Sequence, residues 1–87
     1  MSIYKVFSVF DSKAEAYMEP VTYTTKGVAI RVIQNTLKNE KSEFALHPND
    51  YTLFELGEFC DDTGTITVHS KPVCLGTITE YLNDIER

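Results

Sequence analysis

The pattern of apolar residues near the start of the chain predicts a long β-strand. Residues 3–10 are rich in β-branched and aromatic side chains and are followed by Asp11-Ser12, which favours a turn. Alternate residues of a strand point to opposite faces of the sheet, and here both alternate sets are mostly apolar. We therefore expect this strand to lie centrally or to be covered on both faces.

A short polar segment follows and leads to the clearest predicted helix. Asp11 or Ser12 can cap a helical turn over residues 11–16, which Glu19-Pro20 prevents from lengthening, and residues 21–24 suit a short extended piece. Threonine is a favourable N-cap, so the helix is predicted to begin near Thr24 or Thr25. Its apolar residues recur at helical spacing: Val28, Ala29, Ile30, Val32, Ile33 and Leu37.

The second half of the chain predicts a β-hairpin followed by a short helix. The expected segments are a loop at 44–50, a strand at 51–59, a turn at 61–64, a strand at 65–69, a break at 70–72, a connector at 73–76 and a helix at 77–86. We predict an α+β fold, in which a small antiparallel sheet of three to four strands carries one main helix on one face and a short C-terminal helix.

Two sets of residues have specific structural predictions. The residues expected to be most buried are Val6, Ile30, Ile33, Leu53, Phe54, Leu56 and Ile66. Gly27 is interpreted as allowing a close approach of helix and sheet, and Gly57 as allowing a β-bulge.

Composition places the chain among ordered globular proteins. Its 87 residues, 43% of them hydrophobic, suit a single domain over residues 1–87. The chain has no apolar run long enough for a membrane span and no signal-peptide pattern, so we expect neither membrane insertion nor secretion. Its two cysteines are too few for a disulfide scaffold, which favours a reducing cytoplasm.

The charge is distributed unevenly along the chain. Residues 1–44 carry six basic and five acidic side chains, whereas residues 45–87 carry two basic and eight acidic ones, and the net charge is −5. Proteins that coat nucleic acid are usually basic, because neutralising phosphates supplies the affinity. This distribution is compatible with a local basic face on the first half of the chain. It is not compatible with a protein whose whole surface coats DNA.

Enzymatic and metal-binding patterns are weak in this sequence. The soft metal ligands are His47, Cys60, His69 and Cys74, and none of them has a paired spacing typical of structural zinc sites. Glu55 and Glu58 fall on opposite faces of a strand, and the glycines form no phosphate-binding loop. We expect no catalytic residues, no metal and no cofactor.

Aromatic and basic side chains alternate in the first half of the chain, and this arrangement predicts contact with single-stranded DNA. Bases stack on aromatic rings while cations follow the backbone. The candidate DNA-binding residues are Tyr4, Lys5, Tyr17, Tyr23, Lys26, Arg31 and Lys38. The alternative is that the tyrosines border the core, with their hydroxyls at its edge.

Several segments resemble the small nonstructural protein of gokushoviruses, which are single-stranded DNA phages of the Microviridae. They are the opening residues 3–17, Thr25-Lys26-Gly27 with Ala29 and Arg31, His47-Pro48, residues 50–58 and Leu75-Gly76. The resemblance implies a nonstructural role in phage genome replication, described as DNA-binding or as governing single-stranded synthesis and packaging. It also implies a location in the host bacterial cytoplasm and absence from the mature virion. No set of functional residues comes with it.

Two functions remain open. The first is a viral accessory protein for single-stranded DNA replication or packaging that binds single-stranded DNA directly or through the phage replication protein. The second is a protein–protein adaptor, a homodimer, that acts on the replication protein or the procapsid without touching DNA. The acidic second half favours the adaptor because it repels phosphate.

The excess of apolar strand surface predicts a homodimer. One long helix covers one face of a sheet, yet residues 3–10 are apolar on both faces. A symmetric dimer through the uncovered face or through a sheet edge would bury this surface. In the alternative arrangement, residues 13–24 and the C-terminal helix fold back over it.

Overall fold

A computed structural model describes residues 2–86, in which a five-stranded antiparallel sheet carries three α-helices. The elements are β1 (Ile3–Asp11), β2 (Ala16–Tyr17), β3 (Val21–Tyr23), α1 (Lys26–Leu37), α2 (Glu43–Leu46), a 3₁₀ turn (Pro48–Asp50), β4 (Tyr51–Cys60), β5 (Ile66–Thr77) and α3 (Ile78–Glu86). The predicted α+β fold is therefore present. The sheet has five strands rather than three to four, because the segment after β1 adds two very short ones.

The sheet has the order β2-β1-β4-β5, with β3 also paired to β1. β1 is central, as predicted, because β2 and β3 pair with its two ends on the side away from β4. The predicted helical turn at 11–16 is wrong beyond its first residues. Asp11 caps the turn by accepting from the Lys13 and Ala14 N–H groups, but Glu15 has a φ of 56°, and the chain returns along β1 as β2.

The helices follow the sequence pattern closely. Thr25 caps α1, its hydroxyl accepting from the Val28 N–H at 3.2 Å. The buried residues of α1 are Ala29, Ile33 and Leu37, four positions apart, so one stripe of the helix meets the sheet. In the second half of the chain, Thr77 accepts from the N–H of Glu80 in the first turn of α3.

The second strand of the hairpin is much longer than predicted. The break predicted at residues 70–72 does not end β5, which continues to Thr77. Glu55 pairs with Val73 and Gly57 with Val68, so residues 69–72 bulge past Leu56 without ending the strand. Pro72 is tolerated because β5 is an edge strand, where a missing N–H leaves no ladder bond unmade.

The core lies between the sheet and the helices. Its buried members are Phe7, Ala29, Ile33, Leu37, Tyr51, Leu53, Ile78 and Tyr81, and Phe44 and Ala45 of α2 pack against them. Burial raises the pKa of both Tyr51 and Tyr81, and the Tyr81 hydroxyl donates to the Leu75 carbonyl. All three helices therefore contribute to one core on one face of the sheet.

The predicted core is partly corrected. Ile33 and Leu53 are buried as expected, whereas Ile66 is 62% exposed. The remaining predicted core residues, which are only half-buried, are Val6, Ile30, Phe54 and Leu56. For the strand residues Val6, Phe54 and Ile66, the physical reason is that they belong to the sheet face opposite the helices.

Truncation of the two confirmed core residues tests this packing. Ile33→Ala or Leu53→Ala is expected to lower the free energy of unfolding by about 2–5 kcal/mol, because each leaves a cavity in the core. Urea denaturation at fixed protein concentration measures the loss. Leu46→Ala is the matched control, since Leu46 is 54% exposed, and it should change stability by less than about 0.5 kcal/mol. A loss below about 1 kcal/mol for Ile33→Ala would contradict the packing face of α1.

Gly57 and Gly27 differ in the space that the structure leaves for a side chain. The bulge interpretation of Gly57 is confirmed, because the register shifts beside it and an added Cβ would collide with the Thr67 carbonyl oxygen and, at 2.9 Å, the Val68 Cα. The close-approach interpretation of Gly27 is wrong, since a Cβ there would meet only the Thr25 hydroxyl at 3.7 Å.

This contrast gives a matched pair of substitutions. Gly57→Ala is expected to lower the free energy of unfolding by about 1–3 kcal/mol, because the backbone of β5 must move. Gly27→Ala should leave it unchanged or raise it by up to about 1 kcal/mol, because alanine favours helix. Thermal or urea unfolding of the two variants side by side checks this, and equal losses would refute the bulge argument.

Candidate functional site

The sheet face opposite the helices is the candidate interaction surface of the molecule. Phe7 and Val9 of β1 belong to the core, so the residues that alternate with them point away from the helices. Cross-strand partners share a face, which extends the assignment to the other strands. We define the open face by its apolar and aromatic members: Tyr4, Val6, Phe10, Tyr17, Phe54, Phe59, Ile66, Val68 and Cys74.

Aromatic contacts organise the open face at both ends. The ring of Tyr17 lies between those of Phe10 and Phe54, at centroid distances of 5.0 and 5.5 Å, and both contacts are edge-on. Toward the opposite end of β1, the rings of Tyr4 and Phe59 lie 6.4 Å apart. The aromatic residues of the open face therefore form two groups, one toward each end of β1.

The outer strand makes this surface exposed. Val68 is 72% and Ile66 62% exposed on β5, and Tyr17 is 45% exposed on β2. All three helices pack on the other face, and residues 12–24 lie at the sheet edge. Within residues 2–86, the predicted fold-back of residues 13–24 and the C-terminal helix is therefore present only in part: Tyr17 packs on Phe10 and Phe54, whereas α3 lies on the other face.

Charged side chains avoid the open face but occupy the helix side of the same strands. Lys5 Nζ lies 3.3 Å from Glu58 Oε2, and His69 Nε2 lies 2.6 Å from Glu55 Oε2, both on the helix side. Among the described residues of β1, β2, β4 and β5 that pair with a neighbouring strand, none on the open face is charged. Ser8, buried at the same face, donates its hydroxyl to the Met18 carbonyl at 2.6 Å. The described paired positions of the open face thus carry no charge, and besides the apolar members they include the hydroxyl residues Ser8, Thr22, Thr52 and Thr77.

The structure divides the seven candidate DNA-binding residues between two layers. Tyr4 and Tyr17 lie on the open face, but about 20 Å apart along the sheet, since Tyr17 pairs with Phe10 six residues from Tyr4. Tyr23 is half-buried on the helix side beside Phe7, with ring centroids 6.3 Å apart, as the core-border interpretation predicts.

The four candidate cations lie on the helix side and are dispersed there. Lys5 pairs with Glu58 on the sheet. Arg31 and Lys38 are both exposed and are seven positions apart, so they fall on the same outer side of α1, about 10 Å from each other. Lys26 starts α1 and lies about 140° around the helix from Arg31. No single surface therefore holds the candidate cations with Tyr4 and Tyr17.

Of the residues that define the open face, only Tyr4 and Tyr17 are among the candidate site residues named from the sequence. Phe54 and Ile66 were assigned to the core, and Val68 was only part of a predicted strand. The available signal was the apolar character of both alternate sets in residues 3–10, which predicted an uncovered face without identifying its members.

A small apolar cavity of about 160 Å³ lies between α1 and the outer edge of β1. Met18, Val21 and Val32 stand at its rim and are all partly exposed. A space of this size accommodates a single benzene-sized group. It is distinct from the open face, because α1 forms one of its walls.

Cys60 and His69, two of the soft metal ligands in the sequence, have separate partners in the structure. The pKa of Cys60 is lowered, chiefly by a hydrogen bond with the Thr63 side chain, but His69 contacts Glu55 instead of this thiol. Within residues 2–86, no cluster of three or more His, Cys, Asp or Glu side chains could hold a metal ion. Across the same residues, no helix has both the length and the apolar character to cross a bilayer.

Comparison with known proteins assigns a family. No curated protein and no solved structure matches the chain. The family model described as Phage ORF5 protein matches residues 4–81, a range that runs from the first strand into the last helix and includes every member of the open face. The chain therefore belongs to the Phage ORF5 protein family and is a bacteriophage protein.

Proposed function

We propose that this phage protein is an accessory adaptor that works by binding protein during replication or packaging of a single-stranded DNA genome. The observation that carries the proposal is the open face, which is exposed, apolar and free of charge. Monomeric soluble proteins rarely expose contiguous apolar surface beyond a few hundred Å², and larger patches mark interaction sites.

Electrostatics favours a protein partner over direct DNA binding. A phosphate backbone requires cations, whereas the protein has a net charge of −5 and its exposed aromatics lie on a face without cations. Arg31 and Lys38 belong to the other layer, and Lys5 is engaged with Glu58. Stacking of bases on Tyr4 and Tyr17 is the competing hypothesis, and it stays a prediction.

The resemblance to gokushovirus nonstructural proteins supports the place of action. It implies a role in replication, in the host cytoplasm and outside the mature virion. The partners proposed on this basis are the phage replication protein and the procapsid.

Two binding measurements test the adaptor role. The unmodified protein should leave the fluorescence anisotropy of a labelled single-stranded oligonucleotide unchanged even at about 50 mM salt, where phosphate contacts are strong. It should bind the purified replication protein or procapsid of its phage, and Val68→Lys should weaken that binding more than about tenfold, because a charge enters the apolar surface.

Thr67→Lys is the control for added charge. Thr67 is the exposed neighbour of Val68 but lies on the helix side, opposite Glu58, so this variant should bind as the unmodified protein does. Salt-sensitive oligonucleotide binding would support the DNA hypothesis against the adaptor. Failure to bind either phage component would also refute the proposal.

A further inference from the structure

We infer that the open face is covered by a second copy of this chain, in a two-fold symmetric dimer whose sheets pack face to face. The inference rests on the proposed protein-binding role of the open face and names a second copy as the protein that covers it. Phage components then contact the outer helix layers of the dimer. The helices of each copy then lie on the outside, and the two open faces form a shared apolar layer.

Layer architecture requires that this surface be covered. A stable sheet buries its apolar faces against another layer, and here all three helices pack on one side. An 87-residue chain has little burial to spare, so leaving Phe54, Phe59 and Val68 partly or largely in water is costly. A second copy is present wherever the chain is made, whereas another partner covers the face only after it is encountered.

The area of the open face matches what a dimer needs. Sheet rows about 4.8 Å apart and a 10-residue β4 rising about 3.3 Å per residue give roughly 600 Å² for each copy. This area is an upper limit because the β2–β3 row is incomplete, so two copies together bury at most about 1,200 Å², at the lower end of the range for specific interfaces. Aligned packing of two twisted sheets at about 10 Å suits such surfaces.

Both sheet edges are poorly suited to dimerisation. The β2–β3 edge is interrupted at residues 18–20 by a bulge that contains Pro20, and the β5 edge is interrupted at residues 69–72 by one that contains Pro72. Proline and bulges both block the continuous pairing of edge strands. Of the two dimer routes that the sequence predicts, the structure favours the face.

The charge distribution also fits self-association. Two copies repel through a net charge of −5 each, but no open-face position brings charge into the interface. Two identical charge-free faces are complementary to each other without any ion pair. Added salt should therefore leave the dimer unchanged or strengthen it, because salt only screens the repulsion.

Face-to-face packing makes the molecule bivalent. The dimer then has two outer surfaces, each formed by the helices of one copy. Arg31 and Lys38 lie on the outer side of each helix layer. A phage component that contacts this layer could bind two copies of its site through one dimer, which raises apparent affinity without new contacts.

Sedimentation equilibrium and light scattering across micromolar concentrations test the dimer. The unmodified chain should have a mass about twice 9.9 kDa that persists or increases with salt. Val68→Lys should be monomeric with an unchanged far-ultraviolet circular dichroism spectrum, because Val68 is exposed within each copy. Thr67→Lys adds the same charge on the helix side and should remain dimeric.

Three results would overturn the inference: a monomeric unmodified chain, a dimer that survives Val68→Lys, or a dimer that dissociates steeply as salt rises. The salt series uses the unmodified chain, so it decides the question even if Val68→Lys fails to fold. A dimer that binds no phage component would refute the proposed function alone. A monomer that still binds the replication protein or procapsid would refute the dimer alone.

Discussion

All three helices cover the same face of the sheet and leave the other face uncovered, and the other features of this structure follow from that arrangement. β1 is apolar on both faces, but α1, α2 and α3 all pack on the face that holds Phe7. A two-layer arrangement satisfies one apolar face and leaves the other in need of a partner. The aromatic contacts around Tyr17 reduce the exposed area without removing it. The proposed interaction with another protein thus follows from how the chain folds.

Charge placement reinforces this asymmetry. On the helix side, the helices cover the end of the sheet near Leu53, and ion pairs occupy part of the remainder through Lys5–Glu58 and His69–Glu55. Such polar groups are what a sheet surface exposed to water usually presents. Among the described residues, the open face has no such ion pairs, although its β5 residues Val68 and Ile66 are more exposed than Val73 on the helix side. The contrast within a single set of strands is the physical basis for assigning interaction to one face.

The bulges connect sheet geometry with the choice of surface. Close passage of β5 over Gly57 excludes a side chain there, and the bulge at residues 69–72 keeps Pro72 within an otherwise long edge strand. The same irregularities interrupt the hydrogen-bonding groups that an added strand would need. The bulges therefore protect the sheet edges, while packing of the helices on one side leaves the open face exposed. The proposed association accordingly uses side chains rather than main-chain pairing.

Local patterns in the sequence by themselves determined the first strand, the Thr25 cap, the buried stripe containing Ile33, and the hairpin with Gly64 in its turn. Each of these depends on neighbouring residues, so periodicity and capping chemistry suffice. Tertiary structure alone decided which face was covered, that β5 passed beyond Pro72, and that the candidate cations lay apart from Tyr4 and Tyr17. The physical reason is that two apolar faces of one strand are equivalent until a distant helix packs on one of them.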